Sequence, residues 1–143
     1  WNVFMACPQG DTCALVDWGS RRQQVAAKST GEAETVAAAE CLQNFLPMQA
    51  VAEEIMSRTV RSVMLTDSNT ARIALKNGYS RKLRYLNKTQ RIGISFAGDA
   101  IAQASDIARV DTGNNNADLH TKPLAKTFFA KFCAHMGVRD VSY

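Results

Sequence analysis

The sequence has little histidine and no metal-style cysteine spacing. Its 143 residues contain two histidines, His120 and His135, and four cysteines, Cys7, Cys13, Cys41 and Cys133, none in a CxxC pair. A zinc site needs three or four His or Cys ligands at close spacing, and this chain lacks them. The cysteines form no disulfide framework either. They read as reduced, mostly buried thiols of an intracellular, reducing compartment, with cytoplasm, nucleus and organelle all open. No apolar run reaches the length of a membrane span, and no signal-peptide pattern is present. Internal repeats and a Pro/Gly/Ser-rich linker are absent as well. Acidic excess is missing too: 17 Lys and Arg stand against 13 Asp and Glu, a net charge of +4. So mild a basic excess permits a polyanionic partner without demanding one, and an ordinary solvated basic surface explains it equally well.

What remains is a globular composition, 46% hydrophobic and 21% charged. The length fits one domain with a real core, residues 1–143. The opening Trp1-Asn2-Val3-Phe4 is already strand-like, which reads as an excised or processed piece.

Segments 2–7 and 12–18 are rich in β-formers and flank the turn-like Pro8-Gln9-Gly10-Asp11, so they predict a hairpin. A third short strand is expected over 24–28. A helix should run from about residue 30 to 57, kinked or split by Pro47. The apolar "RSVMLT" (61–66) predicts a central strand, and "SNTARIALKNG" (68–78) a short helix stopped by Asn77-Gly78. Residues 80–97 predict a basic helix ending near Gly98-Asp99. "SDIARVDT" (105–112) predicts another strand, and 114–138 a polar loop followed by a helix. This order implies a mixed α/β layer structure.

Three carboxylates sit where strands end or helices begin. Asp67 directly follows "SVML", and in open α/β sheets ligands gather at the carboxyl ends of strands. It serves equally well as the N-cap of the helix that follows. Asp118, in "NNNADLHTKPL", taken alone is better explained as a first-turn residue favoured by the helix dipole. Glu34 is argued from helix geometry. Ala37, Ala38, Cys41, Leu42 and Phe45 share its face, an apolar stripe expected to face the sheet. A carboxylate heading a buried stripe is costly unless paired or metal-bound. Glu32 has a local task instead, since Ser29-x-x-Glu32 fits a capping box. Carboxylates with little His or Cys suit a hard cation, Mg²⁺ or Mn²⁺. Two such ions about 4 Å apart can support phosphodiester hydrolysis.

These residues carry a family resemblance. "STGEAETVAAAE" (29–40) resembles the Ser-Thr-x-Ala-Glu-Tyr-x-Ala segment of the ribonuclease H domain in copia-type LTR retrotransposon polyproteins. "VDWGSRRQQ" (16–24) resembles its Ser-Trp-x-Ser-Lys-Lys-Gln strand. "LTDSNTARIALKN" (65–77) resembles its Cys-Asp-Asn-Gln-Ser-Ala-Ile-Ala-Leu segment, and "NNADLHTKPL" (115–124) its Ala-Asp-x-x-Thr-Lys-Pro-Leu ending. All four occur in the family's order across residues 12–125. The resemblance implies a ribonuclease H-like fold, a five-stranded mixed sheet with its first three strands antiparallel, flanked by helices. It also implies Mg²⁺-dependent cleavage of the RNA strand of an RNA–DNA hybrid. The family's metal-binding acids fall on Glu34, Asp67 and Asp118.

The departures matter equally. The family's first catalytic aspartate lies on a first strand, and the resemblance here begins at strand two. Neither Asp11 nor Asp17 substitutes for it. A Lys-His-Ile-Asp stretch is replaced by "SRKLRYLNKTQR" (80–91), whose Arg81, Lys82, Arg84, Lys88 and Arg91 could track a phosphate backbone. A solvated basic helix face accounts for that run equally well. Two functions follow. One is an Mg²⁺-dependent ribonuclease H of retroelement origin, completed by an aspartate from outside this chain and inactive alone. The other is a domesticated, inactive domain without metal, a structural subunit contacting protein or RNA of a larger assembly. Either way a partner or further segment is expected to cover the gap left by the first strand, because an open sheet edge is a liability. An unrelated α/β domain is a third reading, under which the four ordered motifs would be coincidence.

Overall fold

The computed structural model describes residues 1–6, 12–23, 26–89 and 91–138. Its elements are β1 (Asn2–Ala6), β2 (Cys13–Trp18), α1 (Thr30–Met56), β3 (Ser62–Thr66), α2 (Asn69–Lys76), α3 (Leu86–Thr89), α4 (Ile94–Ala104), β4 (Ser105–Arg109) and α5 (Lys126–His135). Two 3₁₀ turns, Thr112–Asn114 and Asn116–His120, precede α5. The class is mixed α/β, with five helices and two small sheets among the described residues. These elements pack as two compact units, residues 1–21 with 112–143, and residues 22–111.

In the first unit β1 and β2 pair antiparallel, Asn2 opposite Trp18 and Ala6 opposite Cys13, with an irregularity between Val3 and Phe4. The expected hairpin is therefore present, while its turn residues and Cys7 lie outside the described residues. Gly19 lies against the Trp1 indole beside it, so a larger residue there would displace that ring. A Cβ there would lie 2.3 Å from the Trp1 ring, and the indole Nε1 donates to Asp17 Oδ2 at 3.0 Å. Asp17 is thus occupied as a structural acceptor. Among the described residues, Val3 and Phe132 are the buried apolar side chains of this unit.

The second unit is built on α1. Ser29 caps it, its hydroxyl accepting from the Glu32 N–H, as the capping box predicts. The helix passes through Pro47 unbroken. Both Pro47 and Gln43, whose carbonyl loses its usual donor, are exposed, so the missing bond opens toward water. Ser57 ends it in the left-handed conformation (φ 51°), its N–H bonding the Glu53 and Glu54 carbonyls. β3 and β4 pair parallel, with Ser62 opposite Ser105 and Met64 opposite Ile107. Val36, Leu42, Leu75, Leu86, Ala97 and Ile107 form the centre of this unit's core.

Several expectations need correction. Residues 26–28 are not a strand, and 24 and 25 lie outside the described residues. β3 is not central: among the described residues it pairs with β4 alone, and Val63 and Leu65 are 46% and 60% exposed. The basic helix ending near Gly98 is instead a turn, the four-residue α3 and then α4, which runs through Gly98. That glycine allows close approach rather than a stop, since a Cβ on it would lie 2.3 Å from Gly78 Cα. Asn77-Gly78 does end α2, with Gly78 at φ +61°. The described cysteines are less buried than expected: Cys13 is exposed, and Cys41 and Cys133 are half-buried. No helix among the described residues is long and apolar enough to cross a membrane.

Candidate functional site

In the second unit the acids at the start of α1 differ from the sequence expectation. Glu32, not Glu34, is the buried carboxylate, at 2% exposure. The buried face runs through Glu32, Thr35, Val36, Ala39 and Leu42. Glu34 is half-buried and Ala37, on its expected stripe, is exposed. Ala37-Ala38-Ala39 offers an apolar residue to either face, so Val36 decides which one turns inward. Glu32 Oε2 accepts from the Lys28 N–H at 2.7 Å and from the Tyr85 hydroxyl at 2.8 Å. The Lys28 ammonium lies 4.7 Å from the centre of the Tyr85 ring. Accepting that hydroxyl is also the main reason the Tyr85 pKa is raised, with burial and the carboxylate's charge adding to it.

Asp67 is half-buried at the carboxyl end of β3. It is not the cap of α2. Ser68 takes that role, accepting from the Ala71 N–H at 3.2 Å. Asp67 is therefore freed from the structural task that competed with a site role.

Asp118 lies in the other unit, 6% exposed, in the first turn of the 3₁₀ segment Asn116–His120. Lys122 Nζ sits 2.9 Å from its Oδ1, and Asn115 Nδ2 donates to the same oxygen at 3.4 Å. Its neighbour His120 places Nε2 2.7 Å from Asn2 Oδ1, while the His120 carbonyl accepts from the Ser20 hydroxyl at 3.0 Å. Burial lowers the His120 pKa below 6.5, with the amino-terminal charge adding to it. The neutral ring is the one that fits the fold. The unfolded chain thus takes up the proton first, and the stability this residue supplies is present above about pH 6.5 and lost as pH falls through the lower folded value. The thermal midpoint should drop between pH 7 and 5, and His120→Gln should flatten that part of the profile. An identical slope in the variant would assign the effect to other groups.

Arg81, Lys82, Arg84, Lys88 and Arg91 are all exposed, and Leu83 and Leu86 between them are buried. The segment thus turns its apolar residues inward and its cations outward. A shallow cleft of about 170 Å³ beside it is lined by Tyr79, Arg84, Asn87 and Ser95. Tyr79, 62% exposed, is an aromatic surface next to cations that the sequence reading passed over. Its position directly after the Gly78 helix stop was the available signal.

As a metal centre the set is incomplete. No group of three or more His, Cys, Asp or Glu placed to hold a metal ion occurs among the described residues. Glu34 and Asp67 belong to one unit and Asp118 to the other. The comparisons add no family. No family model, curated protein or solved structure matches the chain significantly.

Proposed function

We propose that this chain is a ribonuclease H-like domain of retroelement origin that acts only when completed by a further strand. In the completed state Glu34, Asp67 and Asp118 would hold Mg²⁺ or Mn²⁺ for cleavage of the RNA strand of an RNA–DNA hybrid, and Arg81, Lys82, Arg84, Lys88 and Arg91 would follow its phosphates. The observation that carries the reading is Asp67. It ends a strand, where ligands gather in α/β sheets, and Ser68 has relieved it of capping. The four ordered motifs support the same assignment. The described residues do not by themselves assemble a metal-binding group, so the chain alone is expected to be inactive. The test is Mg²⁺-dependent cleavage of a labelled hybrid by a longer product carrying an upstream aspartate. Asp67→Asn should lower the rate at least about 100-fold, as loss of a charge-stabilising group does. Unchanged cleavage in that variant would end the nuclease reading.

A second reading is favoured by β3. Its exposed Val63 and Leu65 suit a domain that works by association, a metal-free structural subunit of a larger assembly. Co-purification at fixed stoichiometry with a large complex, alongside no hybrid cleavage, would select it.

A further inference from the structure

β3 carries an unusual symmetry. With its flanking residues it reads Arg61-Ser62-Val63-Met64-Leu65-Thr66-Asp67. Folded antiparallel onto itself about Met64, this sequence opposes Arg61 with Asp67, Ser62 with Thr66, Val63 with Leu65, and Met64 with Met64. Cation meets anion, hydroxyl meets hydroxyl and apolar meets apolar at every position. The Ser62 hydroxyl already donates to Gln49 Oε1 at 3.4 Å and Thr66 Oγ1 accepts from the Ser68 N–H at 3.2 Å, so the charged and apolar positions carry the match. Among the described residues β3 pairs only with β4, which leaves its other edge without a strand partner. Val63 and Leu65 share one face of the strand and are exposed. Arg61 is exposed and Asp67 half-buried, and neither makes an ion pair among the described residues.

We propose that the free edge of β3 pairs antiparallel with β3 of a second copy of this chain, across a two-fold axis through Met64. A two-fold contact is isologous, so a strand can serve only if it complements itself, and this one does. Opposed residues on antiparallel strands lie about 5 Å apart, within reach for two Arg61–Asp67 ion pairs and two Val63–Leu65 contacts. The two sheets merge into one of order β4-β3-β3-β4, and an exposed edge is covered. Five-residue strands bury little area, so the dimer belongs to the weak, concentration-dependent class. The inference does not depend on the nuclease reading, but it bears on it. In the paired state Asp67 is engaged by Arg61 of the second copy and the β3 edge is filled, so self-pairing and completion by another strand are alternative states.

The test needs neither metal nor nucleic acid. Sedimentation of the full chain from low to high micromolar concentration should show a monomer–dimer equilibrium. Arg61→Asp and Asp67→Arg each put like charges opposite one another and should weaken association at least about tenfold, since directly opposed like charges are destabilising. An equimolar mixture of the two variants restores both charge pairs across the contact, and association should return. A wild-type chain monomeric throughout would overturn the proposal and leave the edge to a strand of different origin. Single variants that associate like wild type, or a mixture that stays monomeric, would overturn it equally. Hybrid cleavage by a longer product is scored separately, so failure of either reading is visible without the other.

Discussion

Gly98→Ala should destabilise the second unit by about 2 kcal/mol, against the usual direction for a helix glycine. In an exposed helix interior the same change gains about 1 kcal/mol from backbone entropy and propensity. Here the added Cβ would lie 2.3 Å from Gly78 Cα and 2.8 Å from Gly78 N. Both are backbone atoms, so no rotamer change relieves the contact. Gly78 itself sits at φ +61° and closes α2, so moving it disturbs the C-terminal end of that helix. Overpacking a close contact costs about 3 kcal/mol at the upper end of its usual range, which outweighs the propensity gain. Urea unfolding should show a lowered midpoint with little change in slope. A midpoint raised by the ordinary glycine-to-alanine gain would mean that α2 and α4 do not meet at these two glycines.

The same pair of glycines shows what the sequence could and could not disclose. Asn77-Gly78 reads as a helix stop because a left-handed residue favours glycine, and α2 ends there. Gly98 carries the same letter for a different reason, close approach of two backbones, which only tertiary structure reveals. Local signals survived elsewhere: Ser29-x-x-Glu32 capped α1, and the "SVML" run formed β3. Phase was harder to read. Three consecutive alanines suit either face of α1, so Glu32 holds the buried position expected of Glu34, which is half-buried. At Asp67 the ambiguity lay between adjacent polar residues, since Ser68 caps as well as aspartate does. Strand position also escaped the reading: an apolar run of five looks central, yet Val63 and Leu65 are open to solvent.

Glu32 is where the largest polar effect is expected. Its carboxylate receives the Lys28 N–H ahead of α1 and the Tyr85 hydroxyl from 53 residues away. Glu32→Ala leaves both donors without that acceptor, a loss of about 3 kcal/mol, while the Ser29 hydroxyl still accepts from the backbone N–H of residue 32. Glu32→Gln keeps an acceptor oxygen and should lose about 1 kcal/mol. The two variants also separate packing from charge through Tyr85. The hydrogen bond to Glu32 is the first cause of its raised pKa, so folding favours the neutral phenol. Stability linked to Tyr85 is therefore complete below its unfolded pKa of 10.0 and lost as pH rises through the higher folded value. In Glu32→Ala, which removes that acceptor, the phenol should ionise nearer its ordinary value than in Glu32→Gln, which keeps one, read by phenolate absorbance against a Tyr85→Phe control. The consequence reaches the basic segment, because Tyr85 sits between Arg84 and the Leu86–Thr89 helix that carries Lys88. Under the proposed nucleic-acid reading, releasing it should weaken RNA or hybrid binding while leaving the number of cations, and hence the charge offered to phosphates, unchanged. Binding weakened with an unaltered salt slope would show that Glu32 acts by holding the segment in place. Full affinity in both variants would show that the cations need no such support.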